Sequence, residues 1–102
     1  MDNLSLLNKE REIFFKYMHA KYPVYYNSNI FLRDLQYAVR RFFETKSKNL
    51  SYTQAEKIAL EFAKILEDEG DLFRLDANSW RVNFHIGETA HKLNPEPVEE
   101  AV

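Results

Sequence analysis

The hydrophobic period of this chain changes at Gly70, and that change constrains the fold more than any other feature of the sequence. Ahead of it, Leu50-Ser-Tyr-Thr-Gln-Ala-Glu56 holds two overlapping capping boxes, Ser51 with Gln54 and Thr53 with Glu56, whose side chains satisfy the open backbone amides of a helix start. Ala55, Ile58, Ala59, Phe62, Ile65 and Leu66 then recur at helical spacing as one buried stripe, and Gly70 stands where a left-handed C-terminal cap is wanted. Beyond Gly70, Leu72, Arg74, Trp80, Val82 and Phe84 alternate about the polar turn Asp76-Ala-Asn-Ser79, which predicts a β-hairpin. A capped helix feeding directly into a hairpin makes an α+β domain the expectation.

Two further helices are predicted upstream. Over residues 5–21, Leu6, Leu7, Ile13, Phe14, Tyr17 and Met18 share a stripe at 100° per residue, with Ser5 as the cap and Glu10 and Lys21 snorkelling at its margins. Tyr22-Pro-Val-Tyr-Tyr26 is rich in aromatic and β-branched residues, and Pro23 restricts it to a short edge strand. Ser28 or Asn29 then caps a second helix running to about residue 46, where Phe31, Leu35, Ala38, Val39 and Phe42 form the buried face. Its opposite side carries Arg33, Tyr37, Arg40 and Arg41, with Arg40 set to pair with Glu44 one turn on. The predicted order is helix, strand, helix, helix, strand, strand: three helices with a small antiparallel sheet. Residues 1–86 form the domain, and residues 87–102 a proline-containing, acidic C-terminal tail.

Composition removes several classes of function. At 102 residues there is room for one core. The absence of Cys excludes disulfides, thiolate metal sites and thiol catalysis, and makes a cytoplasmic protein the expectation. Two glycines, Gly70 and Gly87, are too few for a phosphate-cradling loop, so no nucleotide cofactor is expected. His19, His85 and His91 fall in no metal-binding spacing. No apolar run reaches the roughly 20 residues that span a bilayer, so no membrane partner is expected. The net charge of −2 conceals a division: residues 1–50 carry 9 Lys/Arg against 5 Asp/Glu, and residues 51–102 carry 5 against 11. Such asymmetry suits a nucleic-acid face or an association surface, and equally a surface that is merely solvated.

The element order, together with three stretches, resembles the winged-helix superfamily. Leu50-Ser-Tyr-Thr-Gln-Ala-Glu-Lys-Ile-Ala59 looks like the turn and start of a recognition helix, Leu66-Glu-Asp-Glu-Gly70-Asp-Leu72-Phe-Arg74 like its exit into the wing, and Asn78-Ser-Trp80-Arg81-Val82 like the returning strand. The resemblance covers about residues 5–84 and is one of fold. It departs from the common pattern in a long second helix and in a third helix that is not basic. The resemblance implies double-stranded DNA as partner, a transcription-regulator role and a homodimer, without catalytic residues.

The residues that could frame a nucleic-acid backbone are Lys46 and Lys48 before the third helix, Thr53, Gln54 and Lys57 on it, and Arg74 and Arg81 in the hairpin. Opposing them, Glu56, Glu61 and Glu67 share the outward face of that helix with two lysines, Lys57 and Lys64, and each carboxylate works against phosphate. The alternative is a protein-interaction module. Phe15 and Tyr22 lie off the stripe of the first helix, Leu60 projects opposite the stripe of the third, and Tyr37 stands within a basic face. Buried against a second copy or another protein, these residues would form its interface. The acidic exit Glu67-Asp-Glu69 with Asp71 sits unfavourably at a helix C-terminus and calls for a basic counterpart, from Arg74 or from the second helix of another copy.

Overall fold

A computed structural model describes residues 2–22 and 24–85; the predicted tail 87–102 lies outside them. The fold is α+β, with four helices and one three-stranded antiparallel sheet among the described residues. In chain order these are α1 (Asn3–Lys9), α2 (Arg11–His19), β1 (Asn29–Phe31), α3 (Leu32–Glu44), α4 (Tyr52–Asp68), β2 (Leu72–Asp76) and β3 (Ser79–Val82). The sheet order is β1-β3-β2, so the last strand is central and pairs with both others.

The helix predicted over 5–21 is two helices that break at Glu10, where φ is −102° and ψ is 26°. Asp2, not Ser5, caps the first, its carboxylate accepting from the Ser5 amide at 2.7 Å. The break re-phases the wheel: Phe14, Phe15 and Met18 turn inward, while Ile13, predicted in the stripe, is 59% exposed. Ionic contacts hold the junction. Arg11 donates to Asn8 and reaches Glu69 and Asp71 at the exit of α4, while Lys46 lies 2.7 Å from Glu10.

The strand also lies later than expected. Tyr22, Val24, Tyr25 and Tyr26 form no strand: the Tyr22 amide bonds the Met18 carbonyl, the Val24 amide bonds the Tyr22 carbonyl, and the Ser28 hydroxyl donates to the Tyr25 carbonyl. Asn29, Ile30 and Phe31 instead pair with Arg81, Trp80 and Ser79. Ser28 and Asn29 therefore do not cap a helix; Phe31 holds the N-cap position of α3 without a side-chain cap and is half-exposed rather than buried. A partner fifty residues away overrides the local helix-start signal.

At α4 local chemistry decides both ends. Ser51 and Gln54 form a reciprocal capping box, with Ser51 Oγ accepting from the Gln54 amide at 3.1 Å and Gln54 Oε1 from the Ser51 amide at 2.9 Å. The second predicted box, Thr53 with Glu56, is not used, because Thr53 already lies inside the helix. At the other end Gly70 adopts φ +82°, its amide bonds the Glu67 carbonyl and the Asp71 amide bonds Leu66, a Schellman motif.

α3 and α4 pack as a pair against the inner face of the sheet. Leu35, Val39, Phe43, Phe62, Leu66, Trp80 and Val82 are buried in one core with Phe14 and Met18. Trp80 is fully buried, and its indole N–H donates to Glu67 Oε2 at 2.8 Å. Arg74, opposite Trp80 on β2, donates to the same oxygen at 2.9 Å, and its guanidinium lies 5.2 Å from the indole centroid. Burial pushes the Glu67 pKa up, but the hydrogen bonds from Trp80 and Arg74 outweigh it, so the carboxyl ionises below its ordinary value of 4.5.

The ionised form of Glu67 is thus the one folding favours, and its contribution is present above pH 4.5 and lost as pH falls through the lowered folded-state value. Glu67→Ala, which leaves the indole N–H without an acceptor, should lower the urea-unfolding free energy at pH 7 by about 1–3 kcal/mol. The gap to the parent should narrow on acidification below pH 4.5; a gap independent of pH would show that the carboxylate charge contributes nothing.

Candidate nucleic-acid interface

Most of the basic residues singled out from the sequence are already engaged within the chain. Lys46 pairs with Glu10 and lies over the Phe42 ring, and Lys48 Nζ donates to Asn3 Oδ1 at 3.2 Å. Arg74 serves Glu67 and also donates to the backbone carbonyls of Asp76 and Ala77 at 3.2 and 3.3 Å. Gln54 gives its Oε1 to the cap and lines a depression with Lys57. Lys57 lines a shallow depression beside α1 that it shares with Asp2 and Glu61, carboxylates that oppose phosphate. Thr53 is exposed in the first turn of α4, and Arg81 is exposed on β3 with its guanidinium 5.2 Å from the Phe73 ring centroid. Of these residues the structure brings Gln54 and Lys57 together, in the depression beside α1.

The apolar interaction candidates are internal to differing degrees. Phe15 is 5% exposed and packs on Phe62 and Phe84, with ring centroids 5.7 and 4.7 Å apart. The break at Glu10 turned it inward, so it offers nothing to a second copy. Leu60 and Tyr22 are half-buried against the same core. Burial of Tyr22 raises its phenol pKa, and nearby Asp34 adds to the effect. The acidic exit of α4 is matched in cis: Glu67 by Arg74, Asp68 by Lys64, and Glu69 and Asp71 by Arg11. A basic surface from another copy is not required to balance it.

Tyr37 keeps two of the three arginines predicted around it, Arg33 and Arg41. One turn apart along α3, Arg33, Tyr37 and Arg41 form an exposed ridge, because Leu35, Ala38, Val39 and Phe42 hold the opposite face in the core. Glu44, 3.4 Å away, is the first cause that raises the Arg41 pKa, and Tyr17 and Tyr37 add to it. The expected Arg40–Glu44 pair is therefore replaced by Arg41–Glu44. Arg40 turns toward α4: its Nε donates to the Leu50 carbonyl at 3.0 Å and its guanidinium lies 4.2 Å from the centroid of Tyr52. Gln36 Nε2 donates to the Tyr52 carbonyl at 3.0 Å.

Arg33, Gln36, Tyr37 and Tyr52 thereby line a recess of about 280 Å³ where α3 meets the first turn of α4. Among the described residues no carboxylate lines it, and the first turn of α4 contains no acidic residue. Tyr37 is 44% and Tyr52 62% exposed, so two phenol rings are presented to solvent beside two arginines. A cation held against a ring and a second arginine on the rim suit a phosphate, and the open ring faces suit a planar group. Tyr52 and Gln36 were not foreseen. Both lie where two helices cross, and neither helix wheel alone brings Tyr52 beside Arg40.

Among the described residues no group of three His, Cys, Asp or Glu side chains is placed to hold a metal ion, and no helix is long and apolar enough to cross a membrane. Compared with known protein families, with curated proteins and with solved structures, the chain matches none of them.

Because Phe15 fills the core, Phe15→Ala should lower the unfolding free energy by about 3–5 kcal/mol. Measured by urea denaturation, a cost under about 1 kcal/mol, the range of surface substitutions, would return the ring to the surface.

Proposed function

We propose that this chain is a small, non-enzymatic, winged-helix-like domain that binds nucleic acid, and that it does so where α3 meets the first turn of α4. In this reading α3 and α4 are the helix pair that meets the nucleic acid and β2–β3 is the wing. The observation that carries the reading is the recess of Arg33, Gln36, Tyr37 and Tyr52, lined by no carboxylate among the described residues, with Arg40 laid over the Tyr52 ring. The contact moves away from the outward middle of α4, where Glu61 shares a depression with Lys57, and onto its N-terminal end, with Thr53 beside Tyr52.

The competing reading, a protein-interaction module, loses two of its motivating residues, since Phe15 is buried and Leu60 is half-buried against the chain's own core. The homodimer expectation weakens for the same reason.

Binding of a fluorescent DNA duplex followed by anisotropy tests the proposal. If Arg33 and Arg40 each neutralise one phosphate, raising salt from about 50 to about 200 mM should cost roughly tenfold in affinity. Arg33→Glu should weaken binding by about tenfold or more, and Lys57→Glu should leave it within about twofold. Binding that ignores salt, or that falls with Lys57→Glu and not with Arg33→Glu, would move the contact off the recess.

A further inference from the structure

The recess between α3 and α4 is small, and its size limits what it can take. It measures about 280 Å³. With roughly 30 Å³ for each molecule of liquid water, that is room for about nine non-hydrogen atoms. A single nucleobase is of that size, and a base pair is twice it. The two helices are tied together at this point, because Gln36 of α3 donates from Nε2 to the carbonyl of Tyr52 in the first turn of α4.

That bond settles which way the Gln36 amide faces. A carbonyl oxygen can only accept, so the amide nitrogen is turned to Tyr52, and Oε1 with the second Nε2 hydrogen has no other bond among the described residues. An acceptor and a donor side by side match the edge of a base, which carries the complementary pair. In a duplex the Watson–Crick edge is spent on the opposite strand; in a single strand it is open. Tyr37 and Tyr52 add exposed ring surface on which an unpaired base stacks. Arg40, bonded to the Leu50 carbonyl and lying over the Tyr52 ring, holds that ring in place.

The charges around the recess agree with such an occupant. Asp34 and Glu56, the carboxylates nearest in sequence, do not line it: Asp34 lies near Tyr22, whose phenol pKa it raises, and Glu56 stands exposed one turn along α4 from Tyr52. Arg33 in the lining supplies the cation for one phosphate. A phosphopeptide would require a cluster of arginines about its phosphate, and among the described residues Arg33 is the one arginine in the lining.

We infer that the recess seats one unpaired base, stacked on the exposed tyrosine rings and hydrogen-bonded at its edge by Gln36, with Arg33 on the adjoining phosphate, so that single-stranded nucleic acid or a splayed duplex end is the preferred ligand. The inference rests on the nucleic-acid reading above and names the part of the ligand that the site takes.

Fluorescence anisotropy of the full chain tests this with a thymidine oligonucleotide, the same strand built from abasic units, and a duplex of equal length. The parent should bind the thymidine strand about tenfold or more tightly than the abasic strand, since a stacked and hydrogen-bonded base is lost from the latter. Gln36→Leu and Tyr37→Ala should each weaken binding to the thymidine strand by about tenfold and leave the abasic strand within about twofold, a difference that mere loosening of the fold would not produce. Arg33→Glu should weaken binding to all of them. Urea unfolding verifies that each variant is folded, and Tyr37, exposed on α3, supplies the test on its own should Gln36→Leu fail to fold. Equal affinity of the parent for the thymidine and abasic strands, or no effect of either Gln36→Leu or Tyr37→Ala, overturns the inference, while a loss with Arg33→Glu then leaves the recess as a phosphate contact. If the parent binds none of these ligands at low salt, the nucleic-acid reading falls and takes the inference with it. If it binds a tyrosine-phosphorylated peptide instead, the recess serves a protein partner and the inference is likewise overturned.

Discussion

Trp80 is held at its ring by the core and at its single polar atom by Glu67, and the remaining architecture depends on that attachment. The indole sits on the central strand, so fixing it to the last turns of α4 fixes β3, and β3 in turn places β1 and β2 through its two ladders. A buried N–H must find an acceptor, and a partly buried carboxylate must find donors. Glu67 answers both demands with Trp80 on one side and Arg74 on the other. The same residue explains how an acidic helix exit is tolerated against the helix dipole: its carboxylates are distributed among Arg74, Lys64 and Arg11.

That distribution governs where charge remains for a ligand. Arg11 belongs to the basic first half of the chain and closes on Glu69 and Asp71 of the acidic second half, so part of the asymmetry in the sequence is consumed inside the fold. Lys46, Lys48 and Arg74 are likewise occupied. Among the described residues, arginine meets exposed aromatic surface in the recess between α3 and α4, whose lining holds no carboxylate, and on the outer face of the sheet, where Asp76 shares the row of Ser79 and Phe31. Both pair a guanidinium with a ring, at Arg40–Tyr52 and Arg81–Phe73. In such pairs the cation keeps its charge and gains a fixed direction.

The kink at Glu10 shows how a small backbone event reassigns function. Read as one straight helix, residues 5–21 expose Phe15 and bury Ile13; two shorter helices do the reverse. The interface suggested by Phe15 disappears into the core, and Ile13 remains an isolated exposed apolar residue, which is ordinary for a folded surface.

The sequence by itself determined the elements whose boundaries are written in local chemistry: α4 between its Ser51–Gln54 box and Gly70, and the hairpin that follows. It also determined the α3 ridge of Arg33, Tyr37 and Arg41, since helical spacing alone separates it from Leu35 and Phe42. Only the tertiary structure decided that Asn29–Phe31 is a strand, because its hydrogen-bond partners lie on β3. The same holds for the pairing of Arg41 rather than Arg40 with Glu44, because Arg40 is drawn to Leu50 and Tyr52 across the helix crossing. Caps, turns and periodicity are contacts between near neighbours and can be read in order along the chain. Ladders, ion pairs and recesses join residues whose adjacency does not exist until the core has closed.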